Sequence, residues 1–213
     1  KYNISVHHEA LAVRGDLSAP TCTTCHGNHG AAPPGVSAVH NVCSTCHVFQ
    51  AQLFDTSPHK PAFAAAGLPG CVTCHSNHQI HHPSDSMVGT GPQAVCTSCH
   101  SQGDAGFAVA GKIQQQFAAL RNAIGKSEAI LTRAEQSGME VSQAQLDLTS
   151  ARDQLTKARV TLHSFTLAKI EADVKVGQET AEKTRQAGEK TLRERDYRRA
   201  GLGISLLTIV AML

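Results

Sequence analysis

The chain reads as a mainly α protein in two unlike halves. Residues 1–104 form an irregular segment organised around bound groups instead of an apolar core; residues 107–200 form a long antiparallel helical hairpin that leads into an apolar helix, residues 201–213. Three observations predict this. Cys-x-x-Cys-His occurs four times in the first hundred residues and consumes all eight cysteines. After Gly106 the composition shifts abruptly to Ala, Gln, Glu, Lys and Arg, with no further cysteine or proline. Apolar residues there recur at alternating steps of four and three, the period of a helix with one buried face.

The four motifs are Cys22, Cys25, His26; Cys43, Cys46, His47; Cys71, Cys74, His75; and Cys96, Cys99, His100. This is the attachment pattern of c-type haem. Each cysteine pair can form two thioether bonds to a haem edge, and the adjacent histidine reaches the iron as its proximal ligand. Four motifs predict four covalently bound haems. Zinc ribbons also use Cys-x-x-Cys, but tetrahedral zinc gives no reason for a histidine after every pair. A disulfide scaffold would not demand those histidines either, and a thioredoxin-like site needs only one such pair.

Over residues 1–104 these motifs resemble those of the bacterial multihaem c-type cytochromes. The resemblance implies export across the inner membrane, haem attachment on the periplasmic side and a haem-dominated core. The absence of a charged and then apolar leader before Lys1 leads us to expect a mature chain whose signal peptide has been removed.

Residues 5–47 and 57–100 read as two copies of one unit. Ser5-Val6-His7 matches Ser57-Pro58-His59, and CTTCHGNH from Cys22 matches CVTCHSNH from Cys71. Both units close on a second motif, at Cys43 and at Cys96. Each copy thus brings two haem motifs and two further histidines: His7 and His29, then His59 and His78. A second imidazole on iron gives a low-spin centre suited to electron transfer, whereas an open position suits catalysis. The matched counts predict His7, His29, His59 and His78 as distal ligands. His29 follows proximal His26 too closely to reach the far face of the same haem, so it and His78 are expected to serve neighbouring haems.

His8, His40, His81 and His82 have no counterpart in the other repeat and are read as surface, propionate-pairing or second-shell histidines. Met87 is a possible axial ligand in type but reads as an exposed loop residue. Residues 1–104 contain no tryptophan and few large aliphatics, too little apolar area to fold alone. Haems would replace that core, with short helices around each motif and loops punctuated by Pro20, Pro33, Pro34, Pro69, Pro83 and Pro92.

In the second half Ile113, Phe117, Leu120, Ile124, Ser127, Leu131 and Ala134 form one seam. Ser137-Gly138 supplies a stop, and Val141, Ala144, Leu148, Ala151, Leu155, Ala158, Leu162 and Phe165 form the second seam. Two seams across a short turn read as the hairpin. His163 lies on a further stripe with Val160, Leu167, Ile170 and Val174. It reads as a packed histidine, with an axial or second-shell haem role, or proton acceptance from a quinol, as the sharper alternatives. Residues 177–200 are charged, with Gly177 and Gly188 as weak points of the helix. Gly201–Leu213 is an uncharged apolar run, shorter than the about 20 residues of a span, and is expected to begin a C-terminal membrane anchor. Arg198 and Arg199 beside it would lie outside the cytoplasm, against the positive-inside tendency.

The formal net charge of +2 gives no support for nucleic-acid binding. The expected function is a periplasmic, membrane-tethered relay of single electrons between a quinol-linked donor and another redox protein or a larger respiratory complex. The alternative is enzymatic: a quinol dehydrogenase, or a multihaem reductase of small oxyanions. The membrane-bound tetrahaem quinol dehydrogenases are similar in haem count but carry their anchor before the haems.

Overall fold

Proline and glycine cut the N-terminal segment into short pieces, and the absence of proline after Gly106 lets the C-terminal segment run in long helices. The computed structural model describes residues 1–29 and 32–213. The protein is mainly helical, 72% helix, with no strand among the described residues. The chain divides into two units: Lys1–Gln114 with Val160–Lys169, and Gln115–Arg159 with Ile170–Leu213. The first unit is therefore not closed by residue 104; it takes in the start of one long helix and a ten-residue stretch from much later in the chain.

In the first unit the helices are α1 (Val6–His8), α2 (Cys22–His26), α3 (Val48–Asp55), α4 (His59–Ala65) and α5 (Gly70–His75). A π-helical turn, Glu9–Val13, extends α1. Two 3-10 turns, Val39–Thr45 and Val95–Ser98, carry the second motif of each repeat. Among the described residues of 1–104, Ala10, Val88 and Ala94 are the only buried apolar side chains. That is far less than a unit of this size needs, since each fully buried aliphatic contributes only about 1.5–3 kcal/mol.

The second unit is built on α6 (Ala105–Gln136), α7 (Ser142–Thr161) and α8 (Leu167–Met212). The first expected seam is buried throughout, from Ile113 to Ala134. In the second, Val141, Leu148, Ala151, Leu155 and Ala158 are buried. Arg152 pairs with Glu128 at 2.9 Å and Lys157 with Asp173 at 2.7 Å, so α7 runs against both neighbours. α8 runs parallel to α6: Ser127 Oγ donates to the Ala181 carbonyl at 2.6 Å, and the Arg195 guanidinium donates to Ser137 Oγ at 3.0 Å. The arrangement is thus three helices, up, down and up, where the sequence suggested one hairpin with a charged tail.

Gly177 and Gly188 do not weaken α8, which is unbroken; both are buried on its inner face. A Cβ on Gly188 would lie 2.6 Å from Ile130 Cγ2, and one on Gly177 would lie 2.9 Å from Leu120 Cδ2. Small residues there let the backbone of α8 approach α6 closely. The last turns of α8 expose Leu202, Ile204, Leu206, Leu207, Ile209, Val210 and Met212. Among the described residues no helix is long and apolar enough to cross a membrane.

Candidate functional site

In α2 and α5 the two cysteines of a motif stand three residues apart and the histidine four beyond the first. On a helical turn that spacing puts all three side chains on one face. Thr21 and Thr24 cap α2 reciprocally, the Thr21 N–H donating to Thr24 Oγ1 at 3.1 Å. Both helices stop the same way, on a left-handed residue just after the histidine: Gly27 at φ 68° and Ser76 at φ 64°. The other two motifs sit on 3-10 turns, where residues three apart eclipse. There the His47 and His100 N–H groups each donate to the carbonyl of their motif's first cysteine at 2.9 Å. The alternation of α-helical and 3-10 motifs repeats in both halves of the segment.

Cysteines of successive motifs are neighbours. Cys25 is pushed up by burial, by Cys46 and by its own Cys22. The Cys43 thiol is pushed up and Cys71 down chiefly by the hydrogen bond they share. Cys74 is pushed up to about 11, first by burial and then by Cys96, Cys99 and Cys71. The four motifs therefore abut in chain order.

Each motif histidine has a second imidazole beside it. His47 lies beside His7 with ring centroids 6.3 Å apart, and His26 beside His78 at 5.7 Å. His100 stands edge-on to His59 at 6.0 Å with the planes at 82°, and His75 lies beside His163 at 6.1 Å. Two imidazoles that bind one metal through nitrogens about 2.0–2.1 Å away have centroids about 6 Å apart. Burial and the facing imidazole hold His7 and His59 below the ordinary histidine range, and burial, His163 and His47 do the same to His75. The shift favours the neutral form, in which imidazole binds a metal.

Several contacts orient these rings. His100 Nδ1 lies 3.2 Å from Asp104 Oδ1, and His163 Nδ1 lies 3.0 Å from the Val160 carbonyl. A carboxylate or a carbonyl only accepts, so each Nδ1 carries a proton and Nε2 is the nitrogen that would bind a metal. Asp104 is itself held by the N–H groups of Phe107 at 2.6 Å and Ser101 at 2.7 Å, which with His100 keep its carboxyl below the usual range. Gly106 lies against the same ring: a Cβ there would be 2.2 Å from His100 Cε1. His59 Nδ1 is buried with no hydrogen-bond partner among the described residues, and so is Ser57 Oγ.

No family model, curated protein or solved structure matches this chain.

The donor sets discriminate between metals. Among the described residues no group of three or more His, Cys, Asp or Glu converges as a metal cage. Tetrahedral zinc needs four protein ligands, or three and a water. Facing pairs of imidazoles suit a metal whose four equatorial ligands arrive with it, as in haem. Each cysteine pair beside two imidazoles is the donor set that one covalently attached haem would use.

Of the four histidines expected as distal ligands, the fold brings His7, His59 and His78 to a motif histidine. His29 is exposed, and no ring of a described residue lies against it. The ring that stands beside His75 is that of His163. His8 lies edge-on to Tyr2, His81 accepts from the Gln79 amide at 3.2 Å, and His40 and His82 are exposed. Met87 is half-buried on the Asp85–Met87 turn and not exposed as expected. Sequence reasoning missed Asp104 and Gly106. Asp104 lies four residues after His100 and just ahead of a helix, a recognisable capping signal; nothing in the sequence marks Gly106.

Proposed function

We propose that this protein is a tetrahaem c-type cytochrome that relays single electrons between redox partners. The observation that carries the reading is that every Cys-x-x-Cys-His histidine has a second imidazole beside it, with ring centroids between 5.7 and 6.3 Å apart. Bound haem supplies a one-electron iron couple. Cys22 and Cys25, Cys43 and Cys46, Cys71 and Cys74, and Cys96 and Cys99 anchor the four groups. His26, His47, His75 and His100 would be the proximal ligands, and His78, His7 and His59 would be the second ligands for the first, second and fourth motifs.

Abutting cysteines of successive motifs support a path in chain order from the first haem to the fourth. An iron held by a pair of imidazoles would have no position left for water or a small substrate, which favours a relay over an oxyanion reductase. The near absence of buried apolar side chains in residues 1–104 supports haems as the core. The haem chemistry belongs to the periplasmic side of a bacterial membrane, and the apolar end of α8 is the segment that would tether the protein there.

The test is to express the full chain with a haem-attachment system and measure its intact mass and spin states. We expect four haem additions and four low-spin irons, and Cys71→Ser/Cys74→Ser should lose one addition. Bound zinc in place of haem, or fewer than four additions in the parent protein, would overturn the proposal.

A further inference from the structure

We infer that His163 is the distal ligand of the third haem, so that the turn between α7 and α8 completes a metal site of the cytochrome segment. The inference rests on the haem reading above and adds a ligand that the internal repeat does not supply. His163 faces His75 with centroids 6.1 Å apart and planes at 17°, matching His26 and His78 at 5.7 Å and 14°. The Val160 carbonyl takes the Nδ1 proton, which presents the lone pair on Nε2.

The turn is built to hold this ring in place. Leu162–Ser164 is a 3-10 turn that ends on Phe165 in the left-handed region at φ 49°, an uncommon state for a non-glycine residue. The Phe165 ring packs on His59 with centroids 3.9 Å apart, so one turn reaches two of the proposed haem sites. Ser164 is buried between them in sequence and accepts from the Thr166 N–H at 3.3 Å. The turn also packs against α3, the helix that follows the second motif. By contrast His29, the repeat's counterpart of His78, is exposed. A proton acceptor for quinol needs an open approach to the ring, whereas the partner actually presented to His163 is a proximal histidine.

The consequence is that the helical half takes part in electron transfer directly. The third haem keeps two nitrogen ligands only while the α7–α8 turn is seated, so its potential reports on that turn.

The test uses the full-length, haem-loaded protein and counts low-spin and high-spin irons by electron paramagnetic resonance. Mass spectrometry in parallel counts attached haems. His163→Ala should keep four haems but convert one of four low-spin irons to high spin, and added imidazole should restore it. His29→Ala should leave all four low-spin. His163→Met provides a variant that retains a ligand: it should stay six-coordinate and raise one midpoint potential. Four low-spin irons in His163→Ala, an unchanged set of potentials in His163→Met, or a high-spin iron in His29→Ala would each overturn the inference. A parent protein without four haems would defeat the cytochrome reading itself, so the two failures are separable.

Discussion

Asp104 accepts hydrogen bonds from His100, from the Ser101 N–H and from the Phe107 N–H in the first turn of α6, and Gly106 leaves the room that the His100 ring occupies. One short stretch thus sets both the helix start and the orientation of a proposed iron ligand. A carboxylate on the far nitrogen of an imidazole makes it a stronger donor to metal, which favours the oxidised state. Asp104→Asn retains the cap, because Asn caps as well as Asp, but removes the charge. We expect one midpoint potential to rise while the other three and the thermal stability hold; four unchanged potentials would show that the carboxylate does not act through His100. The pairing of His163 with His75 belongs to this scale too. It breaks the internal repeat at one position: His7 and His59 keep matched partners, whereas His78 and His29 do not.

At the scale of elements, the two repeats keep their secondary structure better than their ligands. Each begins with a buried serine, at Ser5 and Ser57, passes through an α-helical motif and ends on a 3-10 motif. In the helical half the deciding contacts are glycines, and they divide by environment. Gly188 meets Ile130 and Leu131, whereas Gly125 in α6 has nothing within 4 Å of a built Cβ. Gly125→Ala removes unfolded-chain entropy and should stabilise by roughly 0.5–1 kcal/mol. Gly188→Ala must push against a β-branched side chain near its own backbone, and overpacking of this kind costs about 1–3 kcal/mol. For a chain of this size each kcal/mol moves the melting temperature by about 2–4 °C. Calorimetry should therefore show opposite signs for the two variants, and equal shifts would refute the close approach of α8 to α6.

At the scale of the whole molecule, the two units differ in what holds them. The second unit buries Phe117, Leu120, Leu131, Leu148, Ile170 and Val174 in an ordinary apolar core. Residues 1–104 bury three small or medium apolar residues among those described, and cannot offset their chain entropy with them. Protein made without haem attachment should therefore lose amide protection across residues 1–104 while Gln115–Arg159 and Ile170–Leu213 keep theirs. Hydrogen exchange with mass spectrometry measures this directly, and protected amides throughout the first segment would sink the idea of a haem core.

Local chemistry was legible in the sequence because it is local. Cys-x-x-Cys-His places three donors on one turn whatever surrounds it, and the duplicated register marks His7, His29, His59 and His78 as spare imidazoles. The seams of α6 and α7 follow from a period of alternating steps that any packed helix must obey. What the sequence could not decide was which distant groups meet. His163 stands 88 positions from His75, and no spacing rule connects residues that far apart. Gly177 and Gly188 look like breaks until a second helix is laid against them. The tertiary structure decided these points because a ligand pair, like a close helix crossing, is a property of two chain segments held face to face, and only packing determines which two those are.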